Sequence, residues 1–250
     1  MKARHKLMLL TVAAVLLAAC KKSGNTNAPA PTPQLKYLTQ EIMVQGTSTL
    51  TTNYTYDDKK RLSTVKRGNS TTTYTYNGDN LFSVEQITTN GANVIRNVSE
   101  TTYTDGKLQT LSLKTYSNGA LRLESLLNFV YNGDKLTEAH TDNGYIYFYY
   151  YDNNNNVVKM QYDSVTVTRN YDNKKSRFAN LPPALKSIGY QINQPDFFSA
   201  NNIITDNNTA GDLTTYTYNY DADGYPTGAT VVHNKFTYLN AKYTYTYTEL

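Results

Sequence analysis

The sequence predicts an all-β fold: a large antiparallel meander of about 14 strands, curled into an open or closed barrel-like sheet, with one apolar loop and short-helix insert. Three observations carry that reading. Tyrosine alternates with threonine or another residue at Tyr54/Tyr56, Tyr74/Tyr76, Tyr145/Tyr147/Tyr149, Tyr216/Tyr218/Tyr220 and Tyr243/Tyr245/Tyr247. A period of two puts each tyrosine set on one face of a strand and the threonines on the other. Second, a phrase of tyrosine, Asp or Asn, a short polar turn and an apolar residue recurs, as in Tyr76-Asn77-Gly78-Asp79-Asn80-Leu81 and Tyr131-Asn132-Gly133-Asp134-Lys135-Leu136. Copies start at Tyr56, Tyr76, Tyr103, Tyr131, Tyr151, Tyr171 and Tyr220, spaced 20, 27, 28, 20, 20 and 49 residues apart, which suits one β-hairpin per unit. Third, no long apolar pattern of helical period follows the N-terminal segment.

Taken in chain order, residues 1–19 read as an export signal. Lys2, Arg4 and Lys6 precede an apolar run from Leu7 to Leu17 that is too short to span a membrane. Leu17-Ala18-Ala19-Cys20 resembles the lipobox of bacterial lipoproteins. The resemblance implies cleavage between Ala19 and Cys20, with lipid on the Cys20 sulfur and an acyl chain such as palmitate on its new amino end. Several acyl chains hold a protein firmly on a bilayer, at about 0.8 kcal/mol per buried CH₂. Lys21 and Lys22 follow, without the aspartate that retains lipoproteins at the inner membrane in well-studied bacteria and without an acidic surface-export tract. The expected address is therefore the outer membrane, on its periplasmic face. Residues 20–34 form the lipidated end and a Pro-rich tether.

The remaining residues, 35–250, suffice for a single domain. Between the tyrosine turns lie Gly68-Asn69, Asn90-Gly91, Asn118-Gly119, Asn143-Gly144 and His233-Asn234, a second set of tight-turn signals. Alternate turns of a meander fall at opposite ends of the sheet, so the tyrosine turns are expected on one rim and the Asn-Gly turns on the other. From residue 178 to 212 the alternation stops. Leu181-Pro182-Pro183-Ala184-Leu185-Lys186 looks like a helix entered through proline. A loop this long and apolar is expected to fold back over the tyrosine face as a plug or lid. It supplies the candidate ligand-binding residues Phe178, Tyr190, Phe197 and Phe198.

Phrases such as Tyr218-Asn219-Tyr220-Asp221-Ala222-Asp223-Gly224-Tyr225-Pro226 resemble the tyrosine-aspartate repeats of Rhs and teneurin shells. The whole pattern of lipobox, tether, hairpins and Leu-Pro break resembles more closely a family of Bacteroidetes lipoproteins of unknown function with a porin-like fold. That resemblance implies a curled or barrel-like sheet and transfers no catalytic residue. A membrane-spanning barrel needs an apolar lipid-facing row. Here the non-tyrosine row is Thr, Asn, Lys and Glu, and mean hydropathy is negative.

The chemistry-bearing residues are sparse. His140 and His233 lie near turns without ligand spacing, and counting a calcium loop from Asp221 puts Val232 where a bidentate carboxylate belongs. No cofactor or metal is expected. Formal net charge is +4, with three charges in the signal, so no nucleic-acid partner is implied. Cys20 is the one cysteine and excludes an internal disulfide. Rows of tyrosine serve either as core or as a stacking platform for sugars and peptides. Two function classes follow. One is a non-catalytic, membrane-anchored binding or scaffold module for a glycan, peptide or other ligand. The other is an envelope hydrolase with inward carboxylates, for which Glu85, Glu100, Glu124 and Glu138 are the strand candidates. A third use, strand addition to a partner, requires that the first and last strands fail to pair. Oligomeric state is not encoded in any pattern seen. Replacing Cys20 with Ser is expected to move the protein from the outer-membrane fraction to the soluble periplasmic fraction, as read by immunoblot after carbonate washing.

Overall fold

The computed structural model describes residues 35–182, 185–186 and 199–250. Sixteen strands follow one another: β1 (Lys36–Gln45), β2 (Ser48–Tyr56), β3 (Leu62–Arg67), β4 (Ser70–Asn77), β5 (Asn80–Asn90), β6 (Asn93–Thr104), β7 (Lys107–Ser117), β8 (Ala120–Asn132), β9 (Lys135–Thr141), β10 (Ile146–Tyr151), β11 (Val157–Tyr162), β12 (Val165–Tyr171), β13 (Ile203–Asn208), β14 (Leu213–Tyr220), β15 (Pro226–His233) and β16 (Ala241–Glu249). Every strand pairs antiparallel with its chain neighbours. β1 also pairs with β16, from Lys36↔Glu249 to Val44↔Lys242, which closes the barrel. Closure removes both sheet edges and with them the expectation of a strand-adding partner.

The count rises from about 14 strands to sixteen because three hairpins lack the Asn-Gly and tyrosine signals. They turn at Gly46-Thr47, at Asp163-Ser164 and at residues 209–212. Gly46 and Asp163 supply the positive φ, at 56° and 49°. The insert expected over residues 178–212 also proves shorter, because Ile203–Asn208 is the barrel strand β13. All seven tyrosine turns follow even-numbered strands and share one rim, while the Asn-Gly turns follow odd-numbered strands and share the other.

At the tyrosine rim each unit carries the same irregularity. Register slips by one residue just before Tyr56, Tyr76, Tyr103, Tyr131, Tyr151, Tyr171 and Tyr220, so one residue of the following strand bulges. Opposite these tyrosines stand Leu62, Leu81, Leu108, Leu136, Val157, Ile203 and Pro226, all buried. The closing seam repeats the pattern, with Tyr247 opposite buried Leu38 and a slip at Thr39.

The phenols tie consecutive units together. Tyr56 donates to the Leu38 carbonyl at 2.8 Å, Tyr76 to Leu62 at 2.9 Å, Tyr151 to Leu136 at 2.7 Å and Tyr171 to Val157 at 2.9 Å. In the third unit the Thr101 hydroxyl serves the Leu81 carbonyl instead. Each phenol thus reaches a carbonyl beside the bulge of the preceding strand, a group that buried backbone must satisfy. The turn carboxylates are also engaged locally. Asp57 accepts from the Lys59 and Arg61 amides at 3.0 and 2.8 Å, Asp152 from Asn154 and Asn156 at 2.8 and 2.9 Å, and Asp221 from Asp223 and Tyr225 at 3.0 and 2.9 Å. These are side-chain caps of turns rather than metal ligands.

The inward row forms two apolar clusters. One joins Leu38, Tyr54, Leu62, Leu81, Ala229 and Tyr245 with Phe178, Leu181 and Leu185 of the insert. The other, from β7 to β12, holds Leu108, Leu111, Leu127, Phe129, Leu136, Met160 and neighbours, and involves no described residue of the insert. Outward stand the hydroxyls: Thr71, Thr73 and Thr75 on β4, Thr215 and Thr217 on β14, Thr244 and Thr246 on β16, all exposed. Some bond across strands, as Thr55 with Thr64 and Thr102 with Thr110, both at 2.6 Å. Apolar residues on this face are interrupted, with Glu138 paired between Val130 and Phe148. Tyr145, expected on the inward row, precedes β10 and is exposed.

Tyr76→Phe removes one phenol donor while keeping the ring, and is expected to cost about 1 kcal/mol, a fall in Tm of about 2–4 °C. Tyr238→Phe, at a side chain 72% exposed, is expected to leave the calorimetric Tm unchanged.

Candidate functional site

The β12–β13 connection is pinned to the tyrosine rim at both ends. Asp172 accepts from the backbone N–H and side-chain amide of Asn202 and from the Tyr220 phenol. The Asn156 side chain, fully buried, accepts from the Ala200 and Asn201 amides at 3.1 and 3.2 Å. Asn180 donates to the Lys36 carbonyl and to the Tyr225 hydroxyl, both at 2.8 Å. From these feet the segment carries Phe178, 3% exposed, onto Tyr54, with ring centroids 5.9 Å apart and edge-on. The amides of Leu185 and Lys186 donate to the Pro182 carbonyl at 3.0 and 3.2 Å, the helical turn that the Leu-Pro phrase predicts. Burial lowers the pKa of Lys186.

Two cavities flank this segment. One of about 550 Å³ lies at the tyrosine rim between successive turns, where Lys59, Arg61 and Lys107 meet Tyr103, Tyr131 and Pro182. The other, about 290 Å³, lies inside the wall of β1 to β5 and β16, against Phe178. Tyr54, Tyr74 and Tyr243 form its sides, and Thr52, Ser70, Thr72 and Gln86 add hydroxyl and amide groups. A polar row continues along the inner face beyond it: the Gln86 oxygen accepts from the Asn97 amide at 3.2 Å, whose own oxygen accepts from Thr115 at 2.8 Å. Burial drives the phenols of Tyr54 and Tyr74 far above their ordinary pKa, so both stay protonated and able to donate.

Among the described residues lining this inner chamber, Glu41 is the one carboxylate, and the Arg177 guanidinium engages it. Arg177 also donates to the Tyr245 hydroxyl at 3.3 Å and lies over the Phe178 ring at 5.0 Å. No inward pair of carboxylates of the kind glycoside hydrolysis uses is formed by the candidate glutamates. Glu85 is paired with Arg96, Glu100 and Glu124 lie 3.5 and 3.7 Å from Lys114, and Glu138 is 2.6 Å from His140, all on the outer face. His233 meets the Thr214 hydroxyl at 2.9 Å. Among the described residues no cluster of His, Cys, Asp and Glu has metal-binding geometry.

Of the sequence-predicted site residues, Phe178 therefore reaches the core beside the chamber, while Tyr190, Phe197, Phe198, Ala19 and Cys20 lie outside the described residues. Arg67, Arg177, Glu41 and Gln86 were not signalled. Counting by twos from Leu38, Leu62 and Leu81 sends Glu41, Arg67 and Gln86 outward. The bulge after each leucine reverses that parity.

No protein-family profile matches the sequence, and no curated protein matches it. Among solved structures the barrel is similar to a porin-like protein from Bacteroides uniformis, with a TM-score of 0.52 and 17% identity over 87% of this chain and 98% of that one. A porin-like protein from Bacteroides vulgatus aligns with 86% of this chain and 100% of its own, at 12% identity and a TM-score of 0.44. The fold is porin-like. At this identity the likeness describes architecture and assigns no activity.

Breaking a buried ion pair on one side leaves the other charge uncompensated. Glu41→Ala is expected to lower stability by about 3 kcal/mol, read by urea unfolding. The Glu41→Ala/Arg177→Ala double variant is expected to lose less than the two single losses together.

Proposed function

We propose that this chain is a non-catalytic binding module of the cell envelope, held on the periplasmic face of the outer membrane by lipid at Cys20. The chamber beneath Phe178 is its ligand site, for a glycan, peptide or other small partner. The observation that carries the reading is the chamber's lining: tyrosine rings, hydroxyls and an amide, with a lone carboxylate already committed to Arg177. Such a surface holds ligands by stacking and hydrogen bonding, and it lacks the pair of acids that hydrolysis of a glycan needs. Phe178, Leu181 and Leu185 plug the barrel beside the chamber, and the ends of the connection that carries them are fixed by Asp172 and Asn156.

Anchoring by lipid rather than by the barrel wall is supported by the outer row. A spanning barrel presents an apolar band about 25 Å tall between aromatic girdles. Exposed threonines occupy that position here on β4, β14 and β16. Charged and hydroxyl side chains on a lipid-facing wall are costly, whereas on a water-facing wall they are the default.

A thermal-shift screen of glycans, peptides and divalent ions tests the reading. One compound class is expected to raise the Tm of the wild-type protein, and Tyr74→Ala to abolish that rise. A screen in which nothing moves the Tm overturns the binding module, as does a ligand whose effect survives Tyr74→Ala.

A further inference from the structure

The ligand class of the chamber follows from one side chain that the wall leaves uncommitted. Arg67 ends β3, opposite buried Thr52 on β2 and beside Ser70 on β4, and it lines the chamber together with Val65, Ser70 and Thr72. No carboxylate among the described residues pairs with its guanidinium. It flanks the Gly68-Asn69 turn at the rim opposite the insert's feet and is exposed, which makes its end of the chamber the mouth.

The charges of the lining are thus uneven. Glu41 and Arg177 satisfy each other on one side of Thr52, and Arg67, opposite Thr52 on the other side, leaves one fixed positive charge at the mouth. A guanidinium fork is built to take a carboxylate through two parallel hydrogen bonds, stronger than neutral ones. Around these charges the lining holds three tyrosine rings, two of them with phenols held protonated, and the hydroxyls of Thr52, Ser70 and Thr72 with the Gln86 amide. That set of groups matches an anion joined to a hydroxylated ring. The volume, about 290 Å³, sits at the small end of ligand cavities, which run from roughly 300 to 1,000 Å³. It has room for one ring and not for a chain.

We propose that the chamber binds a small polyhydroxylated ring acid of the hexuronate type, with Arg67 gripping the carboxylate at the mouth and Tyr54, Tyr74 and Tyr243 flanking the ring. The proposal rests on the chamber being a binding site and adds the chemistry of what it binds. Glu41, buried and on the far side of Thr52, repels an acid on its own side, so the carboxylate turns to Arg67 and the neutral hydroxyls of the ring meet the remaining lining.

Calorimetric titration at low salt with sodium galacturonate, galactose and sodium acetate separates the possibilities. Galacturonate is expected to bind at least about tenfold more tightly than galactose, a difference of the size that one good charged contact gives, and to weaken as salt is raised. Arg67→Gln is expected to bring the two sugars within about twofold of each other, chiefly by weakening galacturonate, and Arg67→Lys to keep part of the preference. Circular dichroism checks that both variants keep the wild-type Tm. Equal affinity of the wild-type protein for galacturonate and galactose overturns the acid preference and leaves the binding reading standing. Acetate binding as tightly as galacturonate reduces Arg67 to a bare anion contact and overturns the ring. If neither sugar binds while another compound in the thermal-shift screen requires Tyr74, the ligand class is wrong and the chamber stands. If nothing binds, both fall.

Discussion

The barrel depends on a hydrogen bond from a tyrosine phenol to a backbone carbonyl beside a β-bulge. Each bulge bends its strand and sharpens the local twist, and a sheet of sixteen strands needs that curvature to meet itself. The same bulge takes a residue out of the regular ladder and leaves nearby backbone to be satisfied by other means. Tyr56, Tyr76, Tyr151 and Tyr171 supply the donor from the neighbouring strand, and Thr101 supplies it where the third unit departs from the pattern. Opposite each of the seven turn tyrosines an apolar residue at the start of the next strand is buried, so curvature, backbone satisfaction and core formation share one device. Cations strengthen the ring of turns from outside: Arg61 lies 4.1 Å over Tyr76 of the next unit and Lys135 5.5 Å over Tyr151.

On β4, β14 and β16 this arrangement reverses the polarity of a membrane pore, while Ile87, Leu126, Val130 and Phe148 stand as outward apolar residues on β5, β8 and β10. Porins of this strand number face lipid with apolar residues and keep water inside. Here the hydroxyls of threonine face out, and the rings of tyrosine, with leucine, phenylalanine and methionine, face in. The two halves of the lumen are filled differently. From β7 to β12 aliphatic side chains are dense enough to pack among themselves. From β14 through β5 the inward row is richer in tyrosine and threonine, whose hydroxyls resist dry packing. There Phe178, Leu181 and Leu185 complete the core, and the polar remainder of the row becomes the chamber wall.

Fold class, rim assignment and the position of the insert are legible in the sequence because they rest on period-two alternation and on turn residues, both of which are local. The missed strands trace to turns that Gly46-Thr47 and Asp163-Ser164 make without an Asn-Gly pair. The chamber was illegible for a different reason. A single bulged residue inverts the facing of everything beyond it, so Glu85 and Glu138 read as inward when they stand outside, while Arg67 and Glu41 read as outward when they line the lumen. Bulges have no strong residue signature of their own. Here they are tied to the tyrosine turns, and the rule that parity flips one residue after the buried leucine recovers the right faces along β3, β5 and β9.

Strand β1 begins and β16 ends at the same rim, because each repeat contributes two strands and one bulge. The barrel is therefore quantised. Inserting or deleting a whole unit keeps every tyrosine on its rim, every staple in phase and the closing pair antiparallel, and changes only the circumference, since diameter grows with strand number. Half a unit would oppose parallel ends at the seam and leave one bulge carbonyl without its phenol. Relatives of different length built on this phrase should then differ by even numbers of strands, with the width of the lumen, and so the size of what it encloses, set by gene-level copying of a segment of 20 to 28 residues.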